Sequence, residues 1–260
     1  MSTPSRVLVE LRKLARVLDV DEESVAFLAA VGEADLRVLR GQVGEALFQA
    51  DRPALVRVAA LSKALPGPIA AKLAEAVLPP LIAARTSELL EPPRAADLVK
   101  RISVRYLADV SLYLDAARAP EVIAAIPAAK VAEVAAELAR RAEWIVIGGF
   151  VAQVGKEALA ASVARFNGEQ LLRIGFVLDD LTKLDDIGDM LTERQLDELL
   201  AAAAEHGLWT ELSDLVAHLP APHVARLAVR YAAQSELHER YEEARDAGAL
   251  PPATLAELTP

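Results

Sequence analysis

The sequence predicts an all-α protein of helical-hairpin repeats, forming a superhelix or compact α-solenoid of about a dozen helices. Three observations predict it. Apolar residues recur at helical spacing along most of the chain. No convincing period-two run occurs, and the single Asn-Gly pair, Asn167-Gly168, precedes a helical pattern instead of joining two strands. One helix-start pattern also returns several times at intervals typical of helical repeats.

From the N-terminus, Val7, Leu11, Leu14 and Leu18 follow one helical face, and Arg12, Lys13 and Arg16 follow the other. Asp21, Glu22 and Glu23 open a second helix, because acidic side chains are favoured at a helix N-terminus. Residues 1–60 read as an N-terminal helical cap, continuous with a repeat region over 61–246. The last segment, 247–260, reads as a tail, with Gly248 ending the final helix.

The repeat is carried by LPGPIAAKLAEAV from Leu65, IPAAKVAEVAAEL from Ile126, FNGEQLLRIGFVL from Phe166, LTERQLDELLAAA from Leu191 and LPAPHVARLAVRY from Leu219. Each copy opens with an apolar residue followed by Pro, Asn or Thr. These three residue types start helices, and the apolar residue before them can staple onto the first turn. Five residues on stand Ala70, Val131, Leu171, Leu196 and Val224. Eight residues on stand Leu73, Val134, Ile174, Leu199 and Leu227. Together these positions predict one buried stripe per copy. A weaker copy begins at Leu90, with Leu98 and Ile102 in register. Ala74, Ala135, Gly175 and Ala228 follow the stripe and would let neighbouring helices approach closely. Second helices are expected over Tyr106–Ala117, Trp144–Val154 and Trp209–Leu219.

The LPGPIAAKLAEAV, IPAAKVAEVAAEL and LTERQLDELLAAA segments resemble the N-terminal superhelical domain of MgtE-type magnesium transporters and, more loosely, HEAT-like repeats. The resemblance covers about Leu65 to Tyr231. It implies an α-superhelix with a regulatory or binding role. The sequence carries no recognisable CBS pair and no transmembrane domain, so transport is not implied.

Within the repeat region, WIVIGGFVAQV, from Trp144 to Val154, holds no charge. It is too short to span a bilayer, which needs about 20 apolar residues. An uncharged second helix in mid-array is expected to be buried on all sides. Gly148 and Gly149 each cost a helix roughly 1 kcal/mol against alanine, so either a neighbouring helix or a ligand packs onto them.

Composition narrows the function. The formal charge of -10 disfavours a general nucleic-acid binder and an anionic membrane surface. The chain has no cysteine, which removes thiolate chemistry and fits a cytoplasmic protein. The amphipathic, charged N-terminus has no apolar signal core. A mean hydropathy of +0.26 leaves apolar surface for a partner.

Three constellations remain. Asp185-Asp186-Ile187-Gly188-Asp189 matches the DDxxD pattern of all-helical prenyl-diphosphate and terpene synthases. One helical turn separates Asp185 from Asp189, a spacing able to hold Mg²⁺ or Ca²⁺. A solvated acidic turn is the competing reading, and the second acidic motif of those enzymes is missing. The aromatic residues Tyr106, Tyr113, Trp144, Phe150, Phe166 and Phe176, with Ile147, Gly148 and Gly149, could line a cavity for a lipid or acyl chain, or simply fill the core. Arg94, Lys100, Arg101 and Arg105 could form a small positive patch. His206, ahead of Gly207, reads as a helix C-terminus. No nucleophile motif or phosphate-binding loop is present, so no catalytic residue and no obligatory cofactor are assigned. The sequence therefore favours a non-enzymatic protein-interaction or regulatory module. A carrier of an apolar ligand is the alternative, and a Mg²⁺-dependent enzyme acting on a diphosphate is the third possibility.

Overall fold

The computed structural model describes residues 6–246. The expected tail, 247–260, lies outside the described residues. The protein is all-α, with no strand among the described residues. Seventeen α-helices are present there, more than the dozen expected, because several expected helices are short and end in turns. Contacts divide them into two compact units. The first holds residues 6–137 and 153–155, and the second holds 138–152 and 156–246. No helix is long and apolar enough to cross a membrane among the described residues.

The first unit opens with α1 (Arg6–Leu18), α2 (Glu22–Val25) and a 3-10 turn (Ala26–Ala30). Then α3 (Glu33–Ala64) runs unbroken through Pro53 and across residue 60, the expected edge of the cap. Leu11, Leu14, Ala15, Val25 and Leu36 form the core between α1 and the start of α3. Beside that core Glu10 is buried, with Lys13 and Arg40 each 3.1 Å away and Arg37 3.6 Å away. Shorter helices follow: α4 (Gly67–Val77), α5 (Pro80–Ser87), α6 (Pro92–Val99), α7 (Val104–Ser111), α8 (Pro120–Ala124) and α9 (Ala128–Arg140), within which the division falls. Most helices pack on their next-but-one neighbours: α1 on α3, α3 on α5 and α5 on α7, with a second series of α4 on α6 and α6 on α8.

The second unit contains α10 (Trp144–Phe150), α11 (Lys156–Val163), α12 (Gly168–Phe176), α13 (Lys183–Met190), α14 (Glu193–Glu205), α15 (Trp209–His218), α16 (Ala221–Ala232) and α17 (Ser235–Asp246). The alternation recurs, with α10 on α12, α12 on α14, α14 on α16, and α11 on α13.

The sequence copies start α4, α6, α9, α12, α14 and α16. Pro66, Asn167, Thr192 and Pro220 sit at N-caps, and Asn167 and Thr192 each form a capping box, with Gln170 and Gln195. His206 is the C-cap of α14, and Gly207 after it adopts a φ of +64°, the left-handed helix end expected there. The buried stripe holds at Leu98, Ile102, Leu171, Ile174, Leu196, Leu199 and Leu227. It is only half-buried at Val131, Val134 and Val224, and it fails at Leu73, which is 49% exposed. There α4 turns Ala70 and Ala71 inward instead, against Leu98, Ile102 and Leu107. The expectation for WIVIGGFVAQV also needs correction. Its helix stops at Phe150, and Trp144, Ile145, Gly149 and Phe150 are half-buried, not enclosed on all sides.

Helix C-termini are closed by one recurring device. Arg94 of α6 donates to the carbonyls of Ser62 and Leu65 at the end of α3. Tyr106 of α7 donates to Leu78 O at the end of α4, at 2.8 Å. Gln195 of α14 donates to Val163 O at the end of α11, at 2.9 Å. Arg226 of α16 donates to Gly188 O and Leu191 O at the end of α13, at 2.9 and 2.8 Å. In each case the donor lies three helices after the helix it closes. The last carbonyls of a helix have no partner of their own, so each of these bonds fixes one stacking step.

Candidate functional site

Burial of small alanines on one side of α4 has a consequence on the other. Ile69, Leu73 and Val77, spaced i, i+4 and i+8, share one face, and they are 55%, 49% and 67% exposed. Leu61 near the end of α3 and Leu81 on α5 are exposed as well. Among the described residues, Val229 is the one exposed large apolar side chain outside the first unit.

The sequence segment that carries this face differs in charge from the rest of the chain. Residues 52–105 hold nine Lys and Arg against four Asp and Glu, a net of +5 in a chain of -10, leaving -15 elsewhere. The four acids are engaged internally. Glu75 accepts hydrogen bonds from the backbone and hydroxyl of Ser103. Glu91 pairs with Lys63 at 2.7 Å, which lowers its pKa below the ordinary carboxylate value. Asp97 pairs with Arg101 at 3.0 Å, and Glu88 is buried. Arg52, Arg57, Lys72 and Lys100 are exposed and form no ion pair among the described residues. Lys72 is on α4 itself, and Arg101 lies against Gly67 at its start. The expected patch of Arg94, Lys100, Arg101 and Arg105 is thus only partly a patch, since Arg94 is spent on closing α3.

Glu88 belongs to a separate, structural cluster. Its Oε1 accepts the Asp115 amide at 3.2 Å, while Oε2 has no hydrogen-bond partner and lies 3.8 Å from Arg118. Burial pushes its pKa up to about 7. The Arg118 guanidinium sits 4.6 Å over the Phe48 ring and also pairs with Asp115 and Glu45. These contacts tie α3, the end of α5 and the loop after α7 together.

The aromatic set does not fall in one unit. Tyr106 and Tyr113 belong to the first unit, where Tyr106 closes α4 and Tyr113 is exposed. Trp144, Ile147, Gly148, Gly149, Phe150, Phe166 and Phe176 belong to the second, with Ile147, Gly148, Phe166 and Phe176 buried. Gly148 packs on Val177 after α12. A small apolar pocket of about 40 Å³ in the second unit is lined by leucines of α14, α15 and α16 together with His223 and Arg226, and by none of these aromatic residues.

The aspartates of α13 share a helix, as expected, but do not form a ligand set. Asp185 and Asp189 flank the buried His223 Nε2, at 2.9 and 3.7 Å. Asp186 turns to Lys183 and Lys156, at 3.5 and 4.0 Å. No group of three His, Asp or Glu side chains is placed to hold a metal ion among the described residues. In place of the expected cluster of three, Asp185 and Asp189 face His223, and Asp186 faces Lys183 and Lys156. His218 and His223 flank a Pro-Ala-Pro turn with no metal-site spacing, and nothing in that pattern points to Asp185; Arg226 stands out no more. The 38 residues that separate His223 and Arg226 each from its α13 partner, Asp185 or Gly188, exceed the local copy spacing of 25 and 28, so the pairing was not legible in the repeat.

Comparison with protein-family models, with curated proteins and with solved structures gives no match.

Proposed function

We propose that the chain is a helical-repeat module that binds another protein through the exposed α4 face of its first unit. The observation that carries this reading is the Ile69, Leu73 and Val77 stripe, since a folded surface rarely leaves large aliphatic side chains aligned in water without a use for them. Next-but-one stacking and the three-helix capping device support a superhelical repeat, in keeping with the resemblance to MgtE-type N-terminal domains and HEAT-like repeats. That resemblance implies helix stacking and does not imply transport. Within the first unit Tyr106 closes α4 and Tyr113 is exposed, and the small pocket of the second unit is lined by none of its aromatic residues, which favours protein binding over carriage of an apolar ligand.

The test is capture from cell extract by the purified chain, run beside Leu73→Asp. A partner retained by the native chain and lost from the variant supports the reading. Equal capture by both, or extra lipid mass on the native chain by native mass spectrometry, counts against it.

A further inference from the structure

We infer that the α4 face takes an acidic amphipathic helix of a partner protein; the inference rests on the protein-binding reading above. An aliphatic stripe with i, i+4, i+8 spacing offers the complement of another helix's apolar face. The charge of the segment that carries the stripe, with Lys72 on α4 itself, sets the sign of that helix. Residues 52–105 carry +5 while the remainder carries -15, and the acids in this segment already have internal partners or are buried. Arg52, Arg57, Lys72 and Lys100 stand exposed and without ion pairs among the described residues. A helix bearing Asp or Glu beside its apolar stripe would meet leucine and isoleucine at its centre and Lys72 at its edge. A basic helix would meet like charge, which costs affinity and slows encounter. An anionic bilayer fits less well. The stripe has no Trp or Tyr to seat at the interface, and the remaining -15 would be repelled from the same surface.

Two synthetic amphipathic peptides serve as probes, one of Leu, Ala and Glu and the other of Leu, Ala and Lys, with binding to the full chain read by fluorescence anisotropy. Vesicles of phosphatidylcholine with phosphatidylserine are the third probe. The acidic peptide is expected to bind at least tenfold more tightly than the basic one. Leu73→Asp should weaken it about tenfold or more, with an unchanged circular dichroism spectrum. Lys72→Glu, at an exposed position, should weaken it severalfold and flatten its salt dependence. The inference is overturned if the basic peptide binds as well, if neither substitution changes binding, or if the chain binds vesicles and not the acidic peptide. Loss of the peptide result alongside a captured partner that still depends on Leu73 removes the acidic helix and leaves the protein-binding reading. Loss of both removes both.

Discussion

Gly148 of α10 lies against the backbone of Val177, just past α12. A Cβ built on it would stand 2.9 Å from the Val177 carbonyl oxygen and 3.0 Å from Val177 Cγ2. The adjacent Gly149 has only Asp179 Oδ2 nearby, at 3.6 Å, an ordinary contact. Two glycines in one apolar run therefore have different reasons to be there. Gly148→Ala should destabilise the second unit by about 1–3 kcal/mol, because backbone cannot yield as a side-chain tip can. Gly149→Ala should be neutral or stabilise by up to about 1 kcal/mol through helix propensity. Urea unfolding of the two variants checks this, and equal effects would refute the distinction.

These glycines also show how much the sequence disclosed. Helix type, helix starts and most of the buried stripe were legible, because they follow from local periodicity and capping chemistry, as Asn167 and Thr192 illustrate. The use of each glycine was not. Gly168 must be bare because a Cβ would lie 2.1 Å from Glu198 O, a residue 30 positions away. The outward turn of Leu73 was hidden for a related reason. Copies with leucine or isoleucine at the stripe bury them, those with Val131, Val134 and Val224 half-bury them, and α4 presents Ala70 and Ala71 to α6, a choice made by the partner helix. Likewise, DDxxD spacing placed Asp185 and Asp189 on one helix but said nothing of His223, which occupies the space between them.

A buried carboxylate among three cations supports the second prediction. Glu10 is held by Lys13, Arg40 and Arg37 where α1 meets α3. Glu10→Ala removes the buried carboxylate these three cations share and should cost about 3–5 kcal/mol. Glu22→Ala, which removes the exposed Arg12–Glu22 pair, should cost less than about 1 kcal/mol. Chemical denaturation followed by circular dichroism compares them. A loss at Glu10 no larger than at Glu22 would mean that the buried cluster contributes nothing.

Stability of the first unit should depend on pH through Glu88. Its carboxyl has a folded pKa of about 7 against an ordinary value of 4.5, so between these limits the folded state holds more protons than the unfolded state. Stability from this group is then fully present below pH 4.5 and is lost as pH rises through about 7. The whole shift corresponds to roughly 3 kcal/mol as an upper bound. Glu88→Gln keeps the shape without the charge and should flatten that decline. Thermal unfolding of both chains at several pH values between these limits is the measurement. A variant whose melting temperature falls in parallel with the native chain would show that Glu88 does not carry the effect.

Arg226 gives the sharpest test of the capping device. Its guanidinium spans Gly188 O, Leu191 O and Glu193 Oε1, at 2.9, 2.8 and 3.0 Å, so one planar fork closes α13 and reaches the first turn of α14. Hydrogen bonds from a charged donor contribute about 1.5–3 kcal/mol, and a bare half-buried carbonyl loses its compensation when the donor goes. Arg226→Ala should therefore destabilise by about 2–3 kcal/mol. Arg226→Lys should recover less than half of that, because an ammonium group restores the charge but cannot reach three acceptors in the same plane. Arg194→Ala is the matched control, since Arg194 is 80% exposed and pairs only along its own helix with Glu198. It should change stability by less than about 0.5 kcal/mol. Hydrogen exchange localises the effect. Faster exchange confined to α13 and the start of α14 identifies Arg226 as the closure of that step. Full rescue by lysine would reduce its role to charge alone.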